Sequence, residues 1–357
     1  MGNHKNQHFV PQFYLKGFSS DRKTIGTLIL SSKKFVKDSA IKDQCSKNNF
    51  YQDKGYEIAL SNFEGDTSLV FEKIMTESQL SNAEKSTVKA FMLLQKTRTK
   101  HSADIAQKHF DQLTNHLEQL APSENSKPTL EKLRVDNHEA VELMKSLFPT
   151  SLLYCADLTL KVIVNKTHIP FITCDDPLLT YNKHLERLHH HNYGMSCNGL
   201  ILLLPISPSY ALVLYDANTY KMGTRKEFYV HISSLKDIEE ICMLSILHAS
   251  QTIYIKNGSI AVCQLLELMK AATKYCQQED MEIDSYRSRT GSDELIHAHS
   301  EHFHIGARLE FLKELDKAKA IKSLNKRDFN VMQITRPHCI KIHENKPYKR
   351  QILSIGD

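Results

Sequence analysis

The stretch from Leu158 to Asn182 constrains the fold most, because two strongly apolar runs with strand character lead directly into paired carboxylates. The runs at 161–164 and 169–173 predict the two strands of a β-hairpin. The second run ends at Asp175-Asp176-Pro177, since proline lacks an amide donor and holds its neighbour extended. Both carboxylates are therefore expected at a strand end, where mixed α/β proteins often place their chemistry. Asp-Pro is equally typical of a plain turn, and that interpretation stays open.

The remaining segments alternate between strand and helix patterns, which predicts an α+β fold. Apolar runs at 199–205 and 210–215 predict a second strand pair that is covered on both faces. A helical period between about residues 55 and 148 indicates a helical insert. We therefore expect a mixed, mainly antiparallel sheet with packed helices in a main domain of residues 1–277. A polar linker and a helical, His-rich C-terminal extension are predicted for residues 278–357.

Four predicted elements are specific enough to be tested one by one. The aromatic leader, residues 8–18, is too apolar for a free tail and is expected to dock on the core. Residues 23–37 predict a β-hairpin. The period from Ser81 to about Leu113 predicts one long helix that opens with a capping box. Residues 306–324 predict an amphipathic helix.

Composition and short motifs exclude several classes of protein. With 41% hydrophobic residues the chain can build a core, yet no run approaches the roughly 20 apolar residues of a membrane span. Its 12 glycines form neither a P-loop nor a dinucleotide-binding motif. The eight cysteines show no CxxC pair, which indicates reduced thiols and a cytoplasmic protein. A net charge of +5 is compatible with nucleic-acid binding without requiring it.

Six short polar or aromatic motifs follow one another along the chain, and in this order they resemble the domain-of-unknown-function family 4238. The resemblance covers about Gln7 to Cys276 and implies no activity, so it supports the domain boundary and the choice of candidate residues. Cys174 and Asp176 stand where the family usually has Ser and Asn, which makes Asp175 the stronger candidate of the two carboxylates. The motifs are His8–Phe18, Asn49–Tyr51, Glu57 with Glu64, Gln95–Thr99, Phe171–Pro177 and Pro205–Pro208.

Our first functional hypothesis is a metal-dependent nuclease that hydrolyses phosphodiester bonds, acting as a toxic effector in bacterial defence. Carboxylates would hold Mg²⁺ or Mn²⁺, the ion would activate a water, and an arginine would neutralise the scissile phosphate. Glu57 and Glu64 lie seven residues apart, and this spacing places them on one helix face. The predicted catalytic residues are His8, Gln95, Arg98 and Asp175, and the predicted metal ligands are Glu57, Glu64, Asp175 and Asp176.

The alternative hypothesis is a non-catalytic protein-binding module or accessory subunit, in which the same polar residues are structural. A buried Arg98 paired with a carboxylate often serves only to hold a fold together. A buried His8 beside aromatic residues is often a hydrogen-bonded core residue. In this case the C-terminal extension would bind the partner protein.

A third hypothesis places Zn²⁺ in the C-terminal extension, although the spacing matches no standard zinc finger. The run His189–His191 is instead expected in a solvated loop between His184 and Cys197, because three consecutive histidines cannot all bind one metal. The predicted zinc ligands are two of His297, His299, His302 and His304, together with His338, Cys339 or His343.

Overall fold

The computed structural model describes residues 6–51, 53–120, 131–186, 194–275, 281–287, 294–300, 306–307, 309–318 and 331–345. Within them the fold is α+β, as the sequence predicts, with mainly antiparallel sheets and packed helices. The strands are β1 (Asn6–His8), β2 (Thr24–Ile29), β3 (Lys34–Ala40), β4 (Ser46–Asn48), β5 (Thr159–Asn165), β6 (Thr173–Cys174), β7 (Leu179–Tyr181), β8 (Ile201–Pro205), β9 (Tyr210–Tyr215), β10 (Tyr220–Met222), β11 (Tyr229–Ile232), β12 (Thr252–Ile255), β13 (Met281–Arg287), β14 (Glu294–Ser300) and β15 (Leu312–Glu314). The helices are α1 (Gln12–Lys16), α2 (Lys54–Met75), α3 (Asn82–Arg98), α4 (Lys100–Leu120), α5 (Asn137–Ser146), α6 (Phe148–Tyr154), α7 (Leu235–His248), α8 (Val262–Ala272), α9 (Val331–Ile334) and α10 (Pro337–Asn345).

A five-stranded sheet in the order β11-β5-β9-β8-β7 forms the centre of the molecule. Its strands are antiparallel except for the parallel pair β11 and β5. Alternate residues of β8 point to opposite sides: Leu202 and Leu204 pack with the helices that precede the sheet, and Ile201 and Leu203 pack with α7 and α8. Both faces are therefore covered, which explains the uninterrupted apolar runs of these strands.

A four-stranded antiparallel sheet, in the order β3-β2-β12-β6, packs beside the central one. The pairing of β2 with β3 confirms the hairpin predicted at 23–37. The hairpin predicted at 161–164 and 169–173 is wrong, because β5 lies in the central sheet and β6 pairs with β12 in the second sheet. The amide of Asn165 donates to the Ile169 carbonyl (2.7 Å) and holds the turn, while β9 and β11 already occupy both edges of β5.

The helical layer α2 to α6 lies in the chain between β4 and β5. One long helix from Ser81 to about Leu113 was expected, but the structure has two, α3 and α4, with an extended break at Thr99 (φ −74°, ψ 152°). Thr99 breaks the helix because its hydroxyl accepts the Ser102 amide (3.2 Å) and thereby caps α4. The predicted capping box at the start of α3, between Ser81 and Glu84, is confirmed.

The leader packs into the core, as its aromatic content predicts. Val10 and Leu15 are fully buried, and the Tyr14 hydroxyl donates to the Pro205 carbonyl (2.5 Å) at the end of β8. A Cβ on Gly17 would lie 2.3 Å from the carbonyl oxygen of Ile206, so the leader and the β8–β9 turn approach too closely for a side chain here. The leader is thus an integral part of the domain.

Two segments near the C-terminal end of the chain also pack on the main domain. The helix predicted at 306–324 is wrong at 312–314, where β15 pairs with β10. Residues 312–314 are extended because their backbone groups pair with β10 in a two-stranded antiparallel sheet; residues 319–330 lie outside the described part. Arg336 is fully buried, and its Nε donates to the Asp157 carboxylate (3.0 Å). The domain boundary at 277 stays a prediction.

His184 is not solvent-exposed, although it was predicted to lie in a polar loop. Its side chain is completely buried, and its Nδ1 contacts the Glu314 carboxylate of β15. Residues 187–193, including the run His189–His191, lie outside the described part of the chain.

Among the helices that the structure describes, none has the length and apolar content required to cross a bilayer. The seven cysteines within the described ranges are free thiols.

Candidate functional site

Arg98 lies at the centre of the candidate site, which we call the α3–α4 junction and define as residues 95–102. Its guanidinium is only 2% exposed and donates to three separate segments. Nη1 donates to the Glu64 carboxylate of α2 (2.7 Å), and Nη2 donates to the His8 carbonyl of the leader (2.8 Å). Nε donates to the Tyr51 hydroxyl (3.2 Å). The planar fork of arginine suits such a junction, because its donors point in fixed and different directions.

Neighbouring charges and burial shift the pKa of Arg98 in opposite directions. Burial acts to lower the pKa of Arg98, but the oxygens of Tyr51 and Glu64 outweigh it, so the pKa is raised and the side chain stays charged. Burial raises the pKa of the Tyr51 phenol, which therefore stays neutral. The Tyr51 amide in turn donates to the Gln7 side chain (2.7 Å). The junction is thus held by a cation with hydrogen-bonded partners on every side.

His8 reaches the junction through its backbone, and its half-buried ring points elsewhere. The ring Nε2 donates to the Lys42 carbonyl (3.0 Å). Burial lowers the pKa of His8 below 6.5, despite this hydrogen bond and the charge of Glu64. His8 therefore presents a neutral imidazole whose Nε2 is already hydrogen-bonded.

Glu57 and Glu64 both lie on α2, as predicted, and both are half-buried. Glu64 pairs with Arg98, and its side chain is 22% exposed. The charge of Glu57 raises the pKa values of Tyr51 and Tyr56, which places this carboxylate near the same aromatic residues. The structure therefore brings Glu57, Glu64 and Arg98 into one neighbourhood.

Asp175 and Asp176 follow β6 and meet the junction from the other side. Both oxygens of Asp175 accept backbone amides, those of Ser250 and Gln251 (2.8 Å each). Burial raises the pKa of Asp175 to about 6 although these amides act to lower it. Asp176 is 2% exposed and accepts the Thr99 hydroxyl (3.0 Å). The strand end predicted for these carboxylates thus contacts the break between α3 and α4.

Gln95, one turn before Arg98 on α3, is completely buried. Neither its amide nitrogen nor its amide oxygen has a hydrogen-bond partner within the described part of the chain. A buried primary amide without partners is uncommon and costs free energy in the folded state. It is the one predicted catalytic residue whose polar atoms are not engaged by the surrounding protein.

The seven predicted residues form two neighbouring groups around the junction. His8, Glu57 and Glu64 lie on the Arg98 side, and Asp175 and Asp176 lie on the Thr99 side.

The arrangement does not fit the predicted Mg²⁺ or Mn²⁺ site. Throughout the residues that the structure describes, no three His, Cys, Asp or Glu side chains lie close enough to share a metal ion. Both oxygens of Asp175 already accept amides. We therefore derive no step through a metal, and the metal requirement stays a prediction.

The predicted zinc ligands of the C-terminal extension are only partly described. The Nε2 of His338 donates to the Leu153 carbonyl (2.9 Å), and Cys339 is buried beside Arg336 (3.5 Å from its sulfur to Nη2). The zinc hypothesis stays a prediction, since the side chains of the remaining candidates lie outside the described part. These are His297, His299, His302, His304 and His343.

Sequence reasoning missed the roles of three residues that complete the junction. Gln7 binds the Tyr51 amide, Tyr51 binds Arg98, and Thr99 connects α3 to Asp176. Tyr51 and Thr99 belong to the quoted motifs, so the motifs themselves contained the signal. Their partners are more than 40 residues away in the chain, and no local pattern predicts such pairs.

Comparison with known proteins identifies a protein family but does not identify an activity. A family model described as "Protein of unknown function (DUF4238)" matches residues 6–259, a range that contains all six motifs. The search of curated proteins finds no match, and the search of solved structures finds none either. Any functional conclusion therefore rests on the geometry of the chain itself.

Proposed function

The chain belongs to the DUF4238 family, whose description names no activity, and we propose from its geometry that it is a non-catalytic binding module. The observation that carries the proposal is the state of Arg98. Arg98 is 2% exposed, and its guanidinium donates hydrogen bonds to Glu64, to Tyr51 and to the His8 carbonyl. An arginine engaged in this way joins segments of the fold and has little surface to offer a substrate.

The other motif residues support the same interpretation. Asp175 holds the Ser250 and Gln251 amides, and Asp176 holds Thr99. In the leader, the Tyr14 hydroxyl accepts the Thr173 hydroxyl (2.6 Å) beside the Pro205 carbonyl that it donates to. Each of these contacts connects elements that are distant in sequence, so the motifs account for a shared fold without any shared reaction.

The outer face of α2 supports a role in binding a partner protein. Ile58 and Leu69 are each 63% exposed. They lie eleven residues apart, which is close to three helical turns, so both side chains project from the same face. The two side chains lie about 16 Å apart along the helix axis, a spacing over which one partner surface can contact both.

The proposal is tested by combining a cleavage assay with thermal unfolding of two arginine variants. We expect the full chain to cleave neither DNA nor RNA with Mg²⁺ or Mn²⁺. We expect Arg98→Lys to lower the free energy of unfolding by about 3 kcal/mol, because a lysine cannot reach all three acceptors. The matched control is Arg134→Lys, whose side chain is 38% exposed and pairs with Glu118 (3.1 Å). This control should change stability by less than about 1 kcal/mol.

Two results would contradict the proposal that the chain is a non-catalytic binding module. One is cleavage of nucleic acid that Glu64→Gln abolishes while its melting temperature stays at the wild-type value. The other is an Arg98→Lys variant as stable as the wild type.

A second candidate, phosphodiester hydrolysis by a nuclease in bacterial defence, is favoured by one pair of observations. Asp175 has a pKa raised to about 6, which suits a general acid or base near neutral pH. Gln95 presents a buried amide without a partner in the described part of the chain. Gln95→Ala separates this candidate from the module: loss of a measured cleavage activity at unchanged stability would favour hydrolysis. Absence of cleavage by the wild type would remove it.

A further inference from the structure

A cationic cavity lies between the start of α3, the start of β5 and the loop before β11. Its volume is about 460 Å³. Its charged lining consists of five cations and one carboxylate, namely Lys85, Lys89, Lys161, Arg225, Lys226 and Glu227. Such an excess of one sign in a concave site raises the local concentration of oppositely charged ligands.

Two of the lysines that line the cavity donate their hydrogen bonds to backbone carbonyls. The ammonium of Lys161, a residue that is 4% exposed, donates to the carbonyls of Met222 and Thr224. The ammonium of Lys89 donates to the carbonyls of Leu158 (2.6 Å) and Ala156 (3.5 Å). These carbonyls hold both lysines in place. Asp157, which pairs with Arg336, acts electrostatically on Lys89, and Glu227 acts on Lys161, so the lining keeps an excess of positive charge that these two carboxylates reduce only in part. A third N–H of each ammonium remains for a ligand.

The other cations lack a neutralising carboxylate. Lys85 lies over the ring of Phe228 (5.2 Å to its centre), and Arg225 and Lys226 are exposed. None of these three forms an ion pair with a carboxylate of the residues that the structure describes. Glu227 is turned toward its own loop, where it accepts the Thr224 amide (3.0 Å). The positive charge of the cavity is therefore left for an external anion.

We infer that this cavity binds a phosphorylated small molecule of nucleotide size. Its volume lies in the range of about 300–1,000 Å³ that is usual for small-molecule sites. Lysine and arginine are the standard protein ligands of phosphate, and the arginine fork can bind two phosphate oxygens at once. The cations converge from three segments on one concave site. A nucleic-acid strand would instead require them to follow one another in a track along the surface.

The cavity is separate from the α3–α4 junction. Lys85 and Arg98 are thirteen residues apart on α3, which corresponds to about 20 Å along the helix axis. The cavity is thus a second site of the chain, and its ligand is independent of whether the junction is catalytic.

Calorimetric titration of the full chain tests the inference with four probes: pyrophosphate, ATP, adenosine and a single-stranded oligonucleotide. We expect ATP and pyrophosphate to bind and adenosine not to bind, because the cavity recognises the phosphates. The triple variant Lys85→Gln, Arg225→Gln, Lys226→Gln should lose about tenfold or more in affinity for ATP. These side chains are half-buried or exposed, so the variant should melt like the wild type.

A charge-matched control variant distinguishes site binding from general attraction. Lys236→Gln, Lys270→Gln and Lys274→Gln together remove three exposed positive charges outside the cavity and should leave ATP affinity within about twofold. Equal losses in both triple variants would overturn the inference, and so would adenosine binding as tightly as ATP. Binding of the oligonucleotide through Lys85, Arg225 and Lys226 without binding of ATP would also overturn it, and would assign the surface to nucleic acid.

Discussion

At the scale of single residues, Asp175 shows how backbone amides can hold a buried carboxylate. Its two oxygens accept the amides of Ser250 and Gln251, yet burial still raises its pKa from 3.8 to about 6. The folded protein therefore keeps the proton on this carboxyl where the unfolded chain has lost it. Between pH 3.8 and about 6 the folded state binds more protons, so ionisation of Asp175 lowers the free energy of unfolding as pH rises through this window.

The Asp175→Asn variant should remove this pH dependence. As pH rises from 4 to 6, the free energy of unfolding of the wild type should fall relative to that of the variant by on the order of 3 kcal/mol. Above about pH 6.5 the difference between the two should stay constant. A constant offset of about 1–3 kcal/mol is expected as well, because an asparagine amide can accept only one of the two backbone amides. Urea denaturation at several pH values measures both effects, with Asp66→Asn on the exposed side of α2 as the control. A difference that stays constant with pH would refute this assignment.

Residue types and spacing predicted which polar side chains matter at the junction, but not what they do. Glu64, Arg98 and Asp175 stood out because charged residues lay within otherwise apolar patterns. Their partners include a tyrosine hydroxyl, backbone carbonyls and backbone amides. Backbone groups are present at every position of a chain, and therefore sequence alone cannot show which of them a side chain binds.

At the scale of secondary-structure elements, periodicity predicted the type of most segments and was wrong where a single contact redirects the chain. The two strand pairs at 24–40 and 201–215 form as expected. At the helix break, Thr99 caps α4 locally and also donates to Asp176, which is 77 residues away. The separation of β5 from β6 depends on partners elsewhere in the sheets. Such long-range contacts outweigh local propensity.

The close approach of the leader to the β8–β9 turn predicts opposite effects for two glycine substitutions. Gly17→Ala should lower the free energy of unfolding by about 1–3 kcal/mol, because its Cβ would lie 2.3 Å from the Ile206 carbonyl oxygen. Gly65→Ala lies within α2 and has no atom within 4 Å of its new Cβ. This control should stabilise the protein by about 0.5–1 kcal/mol. Urea denaturation decides, and a Gly17→Ala variant as stable as Gly65→Ala would show that the leader is not packed as described.

At the scale of the whole molecule, a C-terminal segment packs on the domain that contains the sheets. The composition after residue 277 predicted a linker and a separate extension, because most residues there are polar. The few buried residues of this region do not change its average composition. Arg336 is one of these, with Nη1 donating to the Cys197 carbonyl (3.0 Å) and Nη2 to the Met195 carbonyl (2.8 Å). A single buried arginine leaves no periodic pattern, which is why sequence reasoning overlooked it.

Arg336→Ala should therefore destabilise the entire protein by about 3 kcal/mol, because it leaves Asp157 and several carbonyls without their donor. Lys341→Ala, at an exposed position of α10, should change stability by less than about 0.5 kcal/mol. Thermal unfolding followed by circular dichroism compares the two variants. Equal melting temperatures would mean that the segment is dispensable for the fold.

The central claim is that Arg98 joins the leader, α2 and α3 into one unit, and a double-mutant cycle between Arg98 and Glu64 tests it most directly. Unfolding free energies are measured for the wild type, Arg98→Met, Glu64→Gln and the double variant. The contact at 2.7 Å predicts that both single variants are destabilised and that their effects are coupled by about 1–3 kcal/mol. A coupling energy near zero, with Arg98→Met as stable as the wild type, would contradict the claim.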